Sequence, residues 1–598
     1  MYAFGVGSVV DLPNFSVLVR GLDDWDESRQ APIAEERLVA AIRALPGLGG
    51  VQELRSAPWE PETSNPFDSW ASTGIPVSPF PRWLRCSGCN YLAPIDTGLF
   101  ELRTEPYRPD RARYLHHNCS KAGKPPPAVP ARFVLACSRG HIDEFPWIEL
   151  VHRGGPCSGA PVLEAVDLAA GNRSTDVLVR CRTCSQQFYV GWAFRENAGA
   201  VLPRCRGRAA HIGRFETCPE QASAMLLGAS NAWFAVTRRA LSIPASGEPV
   251  EQLVAQHWGV LAAALTPETL EALLKHVPAL RPLARHGVEA AWQAVEAHRA
   301  RLAAGHGVGG TGDLAGPEWR VLSHPDGAAA GPDFKLVGVG PPEGWERWFE
   351  PTVLVERLRE VTALVGFTRI DGPDAGSPVA PLAREAPRWV PAAETRGEGI
   401  FLRLREEVVA AWEVRARTSD RLARLRAAHR AWRRRRGLDE TLGWPGERYV
   451  LLHTLAHALV NELALECGYA AASLRERIYS AEAGGDGPAM AGILLYTAAP
   501  DSEGTLGGLV SLGHPALLGG VLARAVERVG LCGSDPLCAD HCPDESEDAL
   551  HGAACHACLF VPETTCERGN RYLDRAVLCA TLAGAGTGLF EEVPARTS

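Results

Sequence analysis

The residues with the clearest chemistry are cysteines. The chain of 598 residues has 17 of them, unevenly placed. Nine lie between Cys86 and Cys218 and seven between Cys532 and Cys579, with Cys467 alone in the long interval. Three pairs, Cys86-Ser-Gly-Cys89, Cys181-Arg-Thr-Cys184 and Cys555-His-Ala-Cys558, have the spacing with which one tight turn offers two thiolates to a tetrahedral ion. The chemistry implied is Zn2+ binding, two or three ions per chain. Cys86 and Cys89 are expected to share a site with Cys119 and a histidine beside it, His117, with Cys137 or His141 as other candidates. Cys181 and Cys184 are matched with Cys205 and Cys218. In the C-terminal cluster Cys538, Cys555, Cys558 and Cys566 form the favoured set, with Cys532 or Cys542 as substitutes. Cys467 and Cys579 read as core residues. Four protein ligands leave no position for water, so these sites are expected to be structural rather than catalytic.

Two other patterns invite chemistry. His453-Thr-Leu-Ala-His457 puts two imidazoles one helical turn apart. Thr454, however, stands where a zinc hydrolase of that pattern carries its glutamate base. A packed, hydrogen-bonded pair is the favoured reading, and a metal-dependent hydrolase or nuclease is the alternative. Between Arg415 and Arg436 the chain has ten arginines and one acid, Asp420, with Trp432 among them. Arg430, Arg433, Arg434, Arg435 and Arg436 are candidates for neutralising DNA phosphates. A solvated face, and then pairing with an acidic surface on a partner or on this chain, are the alternatives to phosphate contact. The glycine-rich stretches Gly305–Gly312 and Gly504–Gly508 contain no Gly-Lys-Ser or Gly-Lys-Thr, so they read as linker and turn rather than phosphate loops.

The elements that must position these residues point to an α+β multidomain protein. Residues 1–80 are a mixed N-terminal region. Residues 81–225 form zinc-ribbon-like modules, with runs such as Val177-Leu-Val-Arg180 leading into a knuckle. Residues 226–345 read as helical, with a Gly-rich linker over 304–332. Residues 346–440 read as mostly helical, ending in the arginine run. Residues 441–598 form an α/β zinc-binding domain that opens on a helix over Tyr449–Cys467 and closes on one near Arg571–Ala583. The net charge is −9, so DNA affinity would need a local patch rather than the field of the whole chain. No apolar run reaches the length of a membrane span and no secretory leader is evident, which predicts a cytoplasmic protein without membrane contact.

Taken in order, several motifs resemble the DrmB family of DISARM anti-phage systems. They are Met1-Tyr-Ala-Phe-Gly-Val-Gly-Ser-Val-Val-Asp-Leu12, Arg132-Phe-Val-Leu-Ala-Cys137 followed by Gly140-His-Ile-Asp-Glu-Phe-Pro-Trp147, and Glu394-Thr-Arg-Gly-Glu-Gly-Ile-Phe401. The region from His453 to Cys566-Glu-Arg-Gly-Asn570 and Leu573-Asp-Arg575 is similar to the zinc-binding domain at the end of MrfA-type helicases, where four cysteines hold one zinc. The resemblance implies a non-catalytic partner of a DrmA-type helicase, which would carry the motor and the nucleotide site, acting with it on DNA. A purely structural scaffold without DNA contact is the further alternative. One departure is that Cys119 is followed by Ser-Lys-Ala122, where a second knuckle cysteine would be expected.

Overall fold

In the computed structural model the described residues are 4–168, 174–243, 250, 253–254, 257–303, 313–327, 330–482, 487–497, 508–563, 565–582 and 587–591. The chain forms two compact units, each discontinuous in sequence. One comprises Met1–Ala34, Leu45–Arg238 and Thr362–Ala393, and the other Glu35–Ala44, Arg239–Val361 and Glu394–Ser598. The five consecutive segments suggested by composition are thus interleaved.

The first unit is built from short, mostly antiparallel strands, with Ile142–Glu144 and Arg208–Ala209 running parallel. Its eight-stranded sheet runs in the order Gln187–Tyr189, Val177–Cys181, Leu163–Asp167, Tyr91–Pro94, Trp83–Cys86, Pro127–Pro130, Arg113–Leu115, Glu101–Arg103. Two of its hairpins are knuckles. Strand Trp83–Cys86 returns as Tyr91–Pro94 in the register Leu84↔Ala93, and Val177–Cys181 returns as Gln187–Tyr189 in the register Val179↔Phe188. The turns close through left-handed residues just past the second cysteine, Asn90 at φ 61° and Ser185 at φ 65°. Asn is among the non-glycine residues that best tolerate this region. A five-stranded sheet follows the order Arg214–Phe215, Arg208–Ala209, Ile142–Glu144, Phe133–Ala136, Ser223–Leu226. The core beside it is aromatic: Phe133, Phe145 and Trp147 are all buried, with the Phe145 and Trp147 rings 4.6 Å apart.

The second unit is organised on the helix Glu447–Cys467. It starts after Gly446 and stops at Gly468, which caps it in the left-handed conformation at φ 68°. It is buried on nearly every face, the mark of a central helix rather than an amphipathic surface one. Strands Leu474–Ala481 and Met490–Thr497 pack against it, as does helix Pro515–Gly530. These strands pair antiparallel with each other, Ile478↔Ile493, and Met490–Thr497 pairs with Trp389–Arg403, Phe401↔Leu494. A small helical core forms on Leu261, Leu270, Leu283 and Val295.

Four expectations about elements need correction, the first being that 226–345, read as helical, also carries strands Phe234–Leu241 and Lys335–Gly338. Residues 346–440 open on two long strands, Val353–Thr368 and Trp389–Arg403, and become helical only from Glu406. Both strands are buried on both faces over most of their length. The alternation that marks a one-sided strand is therefore missing, and Leu, Glu and Arg at mixed spacing imitate a helix. The closing helix near Arg571–Ala583 is a single turn, Arg575–Val577, capped by Asp574, whose carboxylate accepts the Ala576 amide. The linker is interrupted by helix Ala315–Ser323, which starts where Asp313 accepts the Gly316 amide at 3.0 Å. The rest of its Gly-rich part (304–312 and 328–329), like 504–507, lies outside the described residues.

Candidate metal centres

Four cysteine-rich groups form among the described residues, and in each the ligand atoms lie within 4.8 Å of one another. Such a grouping of thiols and imidazoles suits a bound cation. Without one, burial pushes the Cys89 thiol up to about 12, whereas a bound ion favours the thiolate outright.

The first centre is Cys86, Cys89, His116 and Cys119. Cys86 Sγ lies 3.9 Å from Cys119 Sγ, and His116 Nδ1 lies 3.5 Å from Cys89 Sγ. The knuckle amides of Gly88 and Cys89 donate to Cys86 Sγ at 3.3 and 3.5 Å. His117, the histidine expected here, is not part of the set. Strand Arg113–Leu115 ends just before His116, whose amide bonds Pro126 O and whose buried ring turns inward. The next residue faces out, and His117 meets Glu101 at 3.2 Å. Burial lowers the pKa of His116, keeping it in the neutral form that a metal ligand needs.

Cys205 and Cys218 do not join Cys181 and Cys184. They meet Cys137 and His141, because Ile142–Glu144 runs beside Arg208–Ala209 and Phe133–Ala136 pairs with Ser223–Leu226. Cys137 Sγ lies 3.4 Å from His141 Nδ1 and 3.9 Å from Cys218 Sγ. The other His141 nitrogen, Nε2, meets the Glu216 carboxylate at 3.0 Å, the carboxylate–histidine–metal arrangement that fixes tautomer and ring orientation. Cys205 and His141 hold the Cys137 thiol down to about 4. Gly207 sits at φ 68°, and a Cβ there would lie 1.7 Å from Glu216 O, so only glycine fits the turn behind Cys205.

Cys181 and Cys184 instead take His152 and Cys157. Cys157 Sγ lies 3.8 Å from Cys181 Sγ. His152 closes the helix Trp147–His152, and its Nδ1 bonds Ile148 O at 2.7 Å. This leaves the buried Nε2 without a hydrogen-bond partner, free to serve as the ligand. Neither residue stands out in sequence. The only signal is Cys157-Ser-Gly-Ala, a single cysteine in a tight turn with a histidine five positions earlier.

The C-terminal centre is Cys532, Cys538, Cys555 and Cys558. Cys532 replaces Cys566, which lies elsewhere with His453 and His457. Cys538 Sγ is 3.8 Å from Cys558 Sγ. Cys542 is outside the set and donates to Arg421 O at 3.8 Å. All four centres have four-membered N/S ligand sets suited to zinc.

The arginine run is engaged within its own unit. Arg433 is buried and donates to Asp439 O at 2.5 Å. Arg434 pairs with Glu440 at 2.7 Å, Arg435 and Arg436 both reach Asp548 at 3.2 and 3.3 Å, and Arg436 stacks over Trp432. Arg421 pairs with Asp574 and Arg426 with Glu447. Arg424 and Arg430 remain exposed.

Residues 455–559 match the MrfA Zn-binding domain, which spans the C-terminal centre, and residues 1–234 match a domain of unknown function, DUF8724, which spans the other three. The chain is 30% identical over 556 residues to the DISARM protein DrmB of Bacillus paralicheniformis, covering 86% of this chain and 91% of that protein. The chain belongs to the DrmB family. As a DrmB-family protein it is a DISARM defence component with a zinc-binding domain, and no helix among its described residues is long and apolar enough to cross a membrane.

Proposed function

We propose that this DrmB-family chain is a non-catalytic cytoplasmic subunit that docks on a DrmA-type helicase and assists it on DNA during defence against phage. Its zinc ions hold the docking surfaces in shape. The observation that carries this reading is that the C-terminal centre is continuous with the main core of its unit. Cys538 and Cys558 pack in the same cluster as Leu455, Leu459 and Leu522, so metal and hydrophobic core stabilise one body. Each of the four centres has four protein ligands, which suits architecture better than hydrolysis. The match to a domain named for MrfA supports a helicase context, and the exposed Arg424 and Arg430 are the residues of the arginine run best placed to meet phosphate.

The test is co-purification of the full chain with the helicase subunit of its own system, followed by DNA binding across a salt series. A stable complex with tighter DNA binding than the helicase alone is expected. A complex with unchanged DNA affinity would make the chain a scaffold, and no complex would refute docking. Metal-dependent cleavage of DNA by the isolated chain, abolished by His457→Ala, would establish the hydrolase instead.

A further inference from the structure

We propose that His453, His457, Glu476 and Cys566 hold a fifth metal ion, a divalent first-row transition ion with zinc the best match, at a closed centre inside the C-terminal unit. The four residues come from three separate pieces of chain. His453 and His457 stand one turn apart on the helix Glu447–Cys467, Glu476 lies on the strand Leu474–Ala481 packed against it, and Cys566 follows the knuckle of the C-terminal centre. Both imidazoles and the carboxylate are fully buried, and Cys566 is buried with them.

The spacing fits an ion. His453 Nε2 lies 3.1 Å from both Cys566 Sγ and Glu476 Oε1, and His457 Nε2 lies 3.5 Å from Glu476 Oε2. Tetrahedral zinc with bonds of roughly 2.0–2.3 Å separates its ligand atoms by about 3.3–3.8 Å, so the His457–Glu476 distance matches and the two 3.1 Å distances need to open by a few tenths of an ångström. His457 Nδ1 bonds Leu559 O at 2.9 Å, so this nitrogen carries a proton. In the neutral ring Nε2 then presents a lone pair to the carboxylate. Both Nε2 and Glu476 Oε2 are buried without a hydrogen-bond partner. A cation between them would satisfy both atoms, as would a second proton on the ring, and the experiment below separates the two. Two neutral imidazoles, one carboxylate and one thiolate carry a charge of −2, which a divalent ion cancels in a site that water does not reach.

The cysteine itself carries the same signature as the zinc-site cysteines. At Cys86, Cys205, Cys532 and Cys555 the amide two residues on donates to sulfur, from Gly88, Gly207, Ser534 and Ala557 at 3.3–3.4 Å. Cys566 receives the Arg568 amide at 3.3 Å and the Asn570 amide at 3.2 Å. Cys542 and Cys579, outside every group, act as thiol donors to the carbonyls of Arg421 and Val526. The amides around Cys566 are therefore arranged for a thiolate. The missing glutamate after His453 has no bearing on this role, because Glu476 arrives from the strand as a ligand and the completed set leaves no room for a water nucleophile.

The decisive experiment is anomalous diffraction from crystals of the full, unmodified chain purified without chelator, recorded at the zinc, iron, cobalt and manganese edges. A peak is expected among His453 Nε2, His457 Nε2, Glu476 and Cys566 Sγ, besides one at each cysteine-rich centre. Filled cysteine-rich centres with no fifth peak at any edge would overturn the proposal and leave a metal-free imidazolium–carboxylate–thiolate cluster. As a second readout, His457→Gln should lower the metal content of the chain by one ion, and an unchanged content would count against the site.

Discussion

Cys532 Sγ lies 3.5 Å from Cys555 Sγ across 23 residues of chain, and this contact decides the membership of the C-terminal centre. Cys532→Ser should lose one zinc per chain and expose the C-terminal unit to proteolysis, since a structural zinc contributes folding energy on the order of 10 kcal/mol. Cys542→Ser should retain full zinc and cost about 1 kcal/mol or less, because it removes only a weak thiol–carbonyl contact. Metal analysis of the two variants checks the pair. Equal zinc in both would refute the assignment.

The first centre discriminates between neighbouring histidines. His116→Ala should release one zinc, and His116→Cys should restore it, because sulfur can take the vacated position. His117→Ala removes an exposed contact to Glu101, of a kind worth about 0–1 kcal/mol, and should leave zinc content and thermal stability unchanged.

What could be read from sequence divides by range. The CxxC turns are local, and Cys86/Cys89, Cys181/Cys184 and Cys555/Cys558 stand together as their spacing implies. The completing ligands are set by strand pairing. Nothing near Cys205 announces Cys137, because they meet only through the neighbouring strands Ile142–Glu144 and Arg208–Ala209. His116 and His117 differ only in which way a strand end faces, and a one-residue change reverses that. The α+β class was legible in the mixture of knuckles and long helical patterns. Strands Val353–Thr368 and Trp389–Arg403 were not, because burial on both faces erases the periodicity by which strands are recognised.

His211 predicts a pH effect. Burial holds its imidazole down to about 3, against the ordinary 6.5, with its Nε2 donating to Pro381 O at 2.8 Å. The folded chain therefore keeps the ring neutral while the unfolded chain protonates it below about 6.5. Stability from this residue is complete above that pH and falls as pH drops toward 3, at about 1.4 kcal/mol per unit. Zinc release also destabilises the chain in acid, so the readout is a difference. Relative to wild type, His211→Gln should lose stability at pH 7.5 but narrow the gap by about 1 kcal/mol or more on going to pH 5.5. Parallel stability curves for the two proteins would exclude the effect.

The arginine run yields the last prediction, because its members occupy unlike positions on one helix. Arg433 is buried, so Arg433→Gln should destabilise the C-terminal unit by about 2–3 kcal/mol, the scale of hydrogen bonds to a charged group left incomplete. Arg435 and Arg436 face Asp548, and converting both to Gln frees an acid as well as removing two cations. The local field then changes, but few phosphate contacts should be lost. Arg424 and Arg430 are exposed on the same helix. If the helicase complex passes single-stranded DNA along this helix, changing both to Gln should flatten the salt dependence of binding by about 0.7 per lost phosphate contact. Affinity should fall to a similar degree for unrelated sequences, since phosphate contacts do not specify bases. The measurement is the slope of log affinity against log salt for the complex, compared between Arg424→Gln/Arg430→Gln and Arg435→Gln/Arg436→Gln. A flatter slope only in the first double variant places DNA at the exposed arginines. Slopes identical to wild type in both would exclude the run from the DNA path and leave it as an internal clamp on the acidic segment 545–548.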